Sequence, residues 1–431
     1  MRVLLAHNRY RSAMPSGENR VVEQEGEALE ALGHEVRRFT RDSDDISQWS
    51  LLKKASLPAR TIWNWESYGD LKAVLREYQP EVVHVHNTFP LLSAAVLHAC
   101  RDAGVPVVAT MHNYGLACAN RAFFRDGAVC HDCAGHLPVA SVVHGCFRDS
   151  RAATVPVAIS MTAHRRAWRS LVSAYILISG SQRDLLAGVG LPQDRVFVRY
   201  NLITRRDRLQ TAPEPMVVYA GRLDEIKGVR LLMAGWDRYL QQAGQQPGHE
   251  PGHEPGQQSG HEPGQPGLRL AIAGAGTLDE EVAAWASTRP SVVLAGPLSS
   301  ADCKDLISRA RAVLLPSAWE ETFGLVAVEA MAAGVPPIAS GHGSFPELIT
   351  PGVDGTLFNP GDPAALGRAI ADAERNPEQY ASYGDQARKT YEKRFDPDRN
   401  LEELLEIYRF AIANPARPRE EKPREEKPKN A

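Results

Sequence analysis

The chain has 431 residues, 43% of them hydrophobic and 23% charged. At roughly 150 residues per domain this is material for two or three domains with sizeable cores, and it excludes wholesale disorder, collagen and coiled-coil rods. A net charge of −3 provides no global field for nucleic acid or an anionic membrane, so no nucleic-acid partner is expected. The halves differ: residues 1–212 hold 26 Lys+Arg against 20 Asp+Glu, and the remainder 23 against 32. A basic first half suits an anionic surface or acceptor. No apolar run approaches the ~18 residues of a membrane span. Val3 to Ala6 is too short for a signal peptide's apolar region, and a cytoplasmic location is expected.

In chain order, Arg2 to Ala6 reads as a strand. Gly17 to Leu32 reads as a helix with Val21, Val22, Ala28, Leu29 and Leu32 on one face and Gly33 as its cap; Glu35 to Phe39 is extended again. Strand-like runs recur at Val82–Val85, Val105–Ala109, Tyr175–Ser179 and Val196–Arg199, with amphipathic segments between several of them. After a polar linker over 204–215, a second series runs through Met216–Ala220, Leu268–Ala273, Val292–Leu294, Val313–Leu315 and Val335–Ala339. Alternating strands and helices predict an α/β protein of two doubly wound parallel-sheet domains, over 1–203 and 216–397, facing each other across a cleft. The Pro-Gly-His-Glu repeats of 245–267 predict a disordered low-complexity insertion, and 414–431 a disordered charged tail.

The most informative stretch is Ser317-Ala318-Trp319-Glu320-Glu321-Thr322-Phe323-Gly324, followed by a helix from Leu325 towards Gly334 that contains Glu329. Free amides at that helix start suit phosphate, a loop carboxylate can bind sugar hydroxyls, and one inside the helix can hold a diol. Alone, the pair could equally be a helix-cap carboxylate and a solvated residue. Arg222 and Lys227, after the Met216–Ala220 strand, place two cations where a leaving diphosphate would need them. Gly274 and Gly276 form a glycine turn after the next strand, which by itself is a weak signal.

Glu321 and Glu329 with seven residues between them, and Gly-Arg-Leu-x-x-x-Lys-Gly around Arg222 and Lys227, make the chain resemble the retaining GT-B glycosyltransferases of family 4, also called group 1, over residues 1 to about 412. The resemblance implies a nucleotide-sugar donor in the second domain. Glu329 would lie near its ribose, Glu321 near the transferred sugar, Arg222 and Lys227 on the diphosphate, the backbone of Phe323, Gly324 and Leu325 along sugar and phosphate, with Gly276 also on the donor, and Gly296-Pro297-Leu298 at the base. It implies a helix over 398–413 crossing back to the first domain. Ser16-Gly17-Glu18 matches a donor-facing loop that in the family has two glycines; here only Gly17 remains. Thr110-Met111-His112-Asn113 matches a His-Asp turn with Asn113 in place of the acid, which makes His112 the catalytic histidine, and His86 with Asn87 are candidates for the acceptor side. Family members retain anomeric configuration by front-face attack without a catalytic metal or other cofactor. The acceptor would be a polysaccharide, a lipid-linked glycan at the inner membrane face, or a small molecule.

Cys118, Cys130, Cys133 and Cys146, in a Cys-rich loop over 113–150, have spacing compatible with a structural zinc site, with disulfides or free thiols as alternatives; Cys100 and Cys303 read as ordinary residues. Arg165, Arg166, Trp168 and Arg169 on one helix are compatible with peripheral membrane contact or with a solvated face. A nicotinamide oxidoreductase is disfavoured because the first turn lacks Gly-x-Gly-x-x-Gly. A catalytically silent scaffold of the same fold and a nucleotide-sugar epimerase remain as alternatives.

Overall fold

The computed structural model describes residues 1–12, 16–205, 212–244 and 267–416. The expected low-complexity insertion (apart from Gly267), the middle of the 204–215 linker and the tail beyond residue 416 lie outside the described residues.

The first half supplies β1 (Arg2–Arg9), β2 (Glu35–Asp42), β3 (Val82–Val85), β4 (Val107–Met111), a short hairpin β5 (Phe124–Arg125) and β6 (Ala128–Val129), then β7 (Ala174–Leu177) and β8 (Val196–Val198). The second half supplies β9 (Met216–Ala220), β10 (Arg269–Ala273), β11 (Val292–Gly296), β12 (Ala312–Leu315), β13 (Pro337–Ser340) and β14 (Thr356–Phe358). Two six-stranded sheets result, ordered β2-β1-β3-β4-β7-β8 and β11-β10-β9-β12-β13-β14, and every pairing in them is parallel. Every residue of β3, β4, β7, β9, β12 and β13 is buried, as expected of strands covered by helices on both faces. This is the two-domain α/β architecture that the sequence predicts.

Three local differences have physical causes. The Gly17–Ala31 helix, capped by the Ser16 side chain, buries Val21, Val22 and Leu29 but not Leu32, which is its C-cap and 56% exposed; Glu25 and Gly26 are buried instead. Val335 and Pro336 belong to the turn after Gly334 rather than to β13. The strand β14 is only three residues long, too short for an alternation pattern to reveal it.

The Pro397–Ala413 helix starts at Asp396, whose side chain accepts the amides of Asp398 and Arg399. It packs Leu401, Leu404, Ile407, Tyr408 and Ala411 into one cluster with Val3, Leu5, Val82, Val108 and Ile176 of the first sheet. A buried leucine such as Leu404 contributes about 1.5–3 kcal/mol, so the helix is anchored on the first domain although it follows the second in sequence.

Candidate functional site

Each sheet reverses its strand order once, between β1 and β3 and between β9 and β12, and ligands bind beyond the carboxyl ends of strands at such points. The loops leaving these four strands carry Gly17, His86, Arg222 and Glu321. The two edges meet directly. The Thr322 hydroxyl donates to the His112 carbonyl at 3.1 Å, the Tyr114 hydroxyl to the Glu320 carbonyl at 3.0 Å, and the Ser179 hydroxyl to the Thr322 carbonyl at 2.7 Å.

On the second-domain side, Glu321 is buried and accepts from Lys227 Nζ at 2.7 Å, Ser317 Oγ at 3.1 Å and Trp319 Nε1 at 3.1 Å. Burial pushes its carboxyl up, but the Lys227 ammonium and these hydrogen bonds more than reverse this, so it stays below the usual carboxylate range. Lys227 also lies 5.0 Å over the Trp319 ring. Arg222 is aimed by Asp224, 3.2 Å from its Nε. Glu329, buried in the Leu325–Ala332 helix, pairs at 2.6 Å with Arg20 of the first domain, which also donates to Ser300 Oγ at 3.3 Å. Gly324 caps that helix at φ 82°, where a Cβ would come 2.7 Å from the Phe345 ring. Gly17 lies against the helix start, where a Cβ would stand 2.5 Å from Leu325 Cδ1. The Phe323 ring is buried against Tyr200, so Phe323 can offer the cleft only backbone. Gly276 donates its amide to Asp279 in the turn after β10. Exposed Pro297 and half-buried Leu298 follow the edge strand β11.

On the first-domain side, His112 Nε2 lies 3.0 Å from His86 Nδ1 and the two rings stack. His86 in turn packs 4.0 Å from the ring of His84, which bonds Tyr408 of the Pro397–Ala413 helix at 2.8 Å and Thr110 at 2.7 Å. Burial pushes His112 down to about 3, although Glu25 opposes this; burial and neighbouring histidines also hold His84 and His86 well below their ordinary value. All three rings are therefore neutral at physiological pH. Behind them Glu25 is paired with Arg199, both side chains 2% exposed, and its second oxygen lies 3.7 Å from His86 Nε2. Burial raises the Glu25 carboxyl, and Arg199 more than compensates, leaving it charged. Asn87 is spent on the backbone of Asn8 and Phe89.

A second buried cluster follows from the first turn. Tyr10 donates to Glu18 at 3.0 Å, and Asn113 Nδ2 lies 3.3 Å from the Tyr10 hydroxyl. Burial raises Glu18 to about 7 against the opposing hydrogen bond and the Arg121 charge, and one of its oxygens has no partner. Arg121 lies over the Phe89 ring at 4.0 Å.

A cavity opens to solvent beside His112. Its lining combines polar His86, Asn87, Asn113 and Arg121 with apolar Met111, Leu116, Val157, Met161, Trp168 and Val189. Of the basic helix, Arg165 and Trp168 line this cavity, and Arg169 donates to the Val189 carbonyl at 2.8 Å. Arg20, Glu25, Arg121 and Arg199 had no motif to announce them, and Trp319, though inside the Ser317–Gly324 stretch, was given no role there. Arg20 alone left a trace, three residues after Gly17 in the first helical turn.

Among the described residues, Glu25, His84 and His86 bring their ligand atoms within 4.8 Å of one another. Apart from Glu25 Oε2 and His86 Nε2, their donor atoms already have hydrogen-bond partners, and Arg199 opposes a cation there. The trio is a positioning network. Cys118, Cys130, Cys133 and Cys146 form no disulfide, and all four line one small cavity.

Residues 203–390 match the family described as glycosyl transferases group 1, and residues 15–126 match glycosyltransferase family 4. An uncharacterised glycosyltransferase of Methanocaldococcus jannaschii is 25% identical over 258 residues, 55% of this chain and 60% of that protein. A glycogen synthase of Mycobacterium tuberculosis is 29% identical over 248 residues, 54% of each chain. The matches thus span little more than half the length of these relatives. In fold, the chain is similar to Anabaena HepE in complex with UDP (18% identity, TM-score 0.60, 94% of this chain and 99% of that one). It is also similar to sucrose-phosphate synthase from Thermosynechococcus elongatus (19% identity, TM-score 0.66, 96% and 99%).

Proposed function

The chain belongs to the group 1, family 4 type glycosyltransferases of the GT-B fold, and on that premise we propose that it moves a sugar from a nucleoside-diphosphate donor to an acceptor hydroxyl beside His112. The observation that carries this reading is the Glu321–Lys227 pair, whose loop is bonded across the cleft to the His112 carbonyl and the Tyr114 hydroxyl. Glu321, fixed by three donors and held ionised, is positioned to accept hydrogen bonds from the transferred sugar. Lys227 and Arg222 offer positive charge to the leaving diphosphate, with the amides at the start of the Leu325–Ala332 helix beside them. Retention without a catalytic metal fits this arrangement. The departing phosphate takes the acceptor proton while neutral His112 orients donor and acceptor by hydrogen bonding.

The cavity favours an amphipathic acceptor, with hydroxyl or phosphate at His112 and Arg121 and an apolar group against Val157, Met161 and Trp168. A lipid-linked glycan has that chemistry. The surface near the cavity suits its delivery. Leu51 and Leu52 are 85% and 86% exposed beside Lys53 and Lys54, and Trp65, Val155 and Ile159 are exposed as well. The Leu57–Ile62 helix joins these residues, packing on the Arg151–Ala163 helix, and its Thr61 lines the cavity. Membrane contact therefore rests on these residues rather than on Arg165 and Arg169, which point into the fold.

The test is transfer from UDP-, GDP-, ADP- and TDP-sugars to lipid-linked and free acceptors. One donor should support turnover, with Glu321→Ala and Lys227→Ala lowering it by orders of magnitude while circular dichroism is unchanged. Near wild-type transfer by both variants defeats the assignment, and sugar isomerisation without acceptor makes the protein an epimerase.

A further inference from the structure

We propose that Cys118, Cys130, Cys133 and Cys146 form a closed tetrathiolate site for a structural zinc ion, which fixes the loop carrying Tyr114 and Arg121 against the cleft. Three elements separated in sequence bring the four sulfurs to one small cavity. Cys118 ends the turn after Tyr114, its amide bonded to the Tyr114 carbonyl at 2.8 Å. Cys130 follows the β5–β6 hairpin, its amide bonded to the Phe123 carbonyl at 2.7 Å, and Cys133 sits in the next turn. Cys146 follows the Val139–His144 helix, its amide on the Ser141 carbonyl at 2.9 Å. The rest of the lining is Asn120, Phe123, Phe124, Arg125 and Ser141.

The lining of this cavity also carries a counter-charge. Arg125 stands beside Cys130 and Cys146, paired with Asp132 at 2.9 Å, and supplies positive charge next to what would be a doubly negative zinc tetrathiolate. Among the described residues no three of the four sulfurs lie within 4.8 Å of one another, so zinc would have to draw them together, and it would release the thiol protons to solvent. No oxidant or reductant is involved.

The consequence reaches the cleft through the chain itself. Tyr114, which bonds the Glu320 carbonyl, and Arg121, which lines the cavity beside His112, flank Cys118 by four and three residues.

Protein purified without chelator should contain close to one zinc per chain by mass spectrometry of the metal. After exchange, cobalt should show the intense visible bands and near-ultraviolet thiolate charge transfer of a tetrahedral sulfur site. Cys130→Ser with Cys133→Ser should lose both, whereas Cys100→Ser with Cys303→Ser should keep both. Zinc near zero with four freely titrating thiols, a disulfide among the four, or zinc retained by the Cys130/Cys133 variant overturns the proposal. Should that variant be insoluble, the cobalt spectrum of the unaltered chain decides, and weak bands of oxygen or nitrogen ligands refute the site. These readouts do not depend on transferase activity.

Discussion

Replacing Arg199 by Met tests whether the buried charge pair behind the histidines holds the first domain together. The guanidinium makes three contacts, to the Glu25 carboxylate, to the Asn400 carbonyl at 3.0 Å and to Asn400 Oδ1 at 2.6 Å, and both charged side chains are 2% exposed. Methionine fills a similar volume but leaves the carboxylate uncompensated, which costs about 3–5 kcal/mol. At roughly 2–4 °C per kcal/mol for a domain of this size, the melting transition should fall by about 6–20 °C. The pH dependence has a definite sign. In the native chain Glu25 is held below its usual range, so its stabilisation is present at neutral pH and lost on acidification. In the variant, burial without Arg199 raises the carboxyl, so the folded state binds the extra proton and gains stability as pH falls. The gap between the two proteins should therefore narrow from about pH 8 to about pH 5. Glu25→Gln combined with Arg199→Met should recover most of the loss. Calorimetry of the native chain and the two variants measures all of this; a loss below about 1 kcal/mol, or a gap independent of pH, refutes the reasoning.

Two further outcomes follow from other sites. Glu18, raised from 4.5 to about 7, contributes stability that is fully present below 4.5 and lost as pH rises through 7. Chemical denaturation should show the native chain losing about 2–3 kcal/mol relative to Glu18→Gln across that window, and a flat difference removes the buried carboxyl from the account. Leu51→Glu with Leu52→Glu should abolish co-sedimentation with anionic vesicles while changing stability by less than about 0.5 kcal/mol, because both side chains are exposed. Unchanged sedimentation refutes the membrane-facing surface.

The sheets were legible from the sequence because a parallel strand buried on both faces is a continuous apolar run. Met216–Ala220 and Val82–Val85 stand in the structure with the bounds their residues predict. The cleft was legible where chemistry is local. Arg222 and Lys227 share one loop, and Glu321 sits one loop before the helix carrying Glu329.

What no local pattern carries is pairing across long separations. Glu25 reads as a polar residue on an amphipathic helix, and only its approach to Arg199, 174 residues away, turns it into a buried counter-charge. His86 reads as an acceptor-side candidate; it lines the cavity beside His112 and is also stacked on that ring with one nitrogen engaged, because β3 and β4 are neighbours in the sheet. Tyr408 reaches His84 across 324 residues, since the last helix buries its apolar stripe on the first sheet rather than the second. The sequence by itself determined most strands and helices and singled out Arg222, Lys227, Glu321 and Glu329, through periodicity and short-range spacing. Tertiary structure alone decided which of those groups are desolvated and which charge neutralises which. Burial and long-range contact set those energies, and neither is a property of neighbouring residues in the chain.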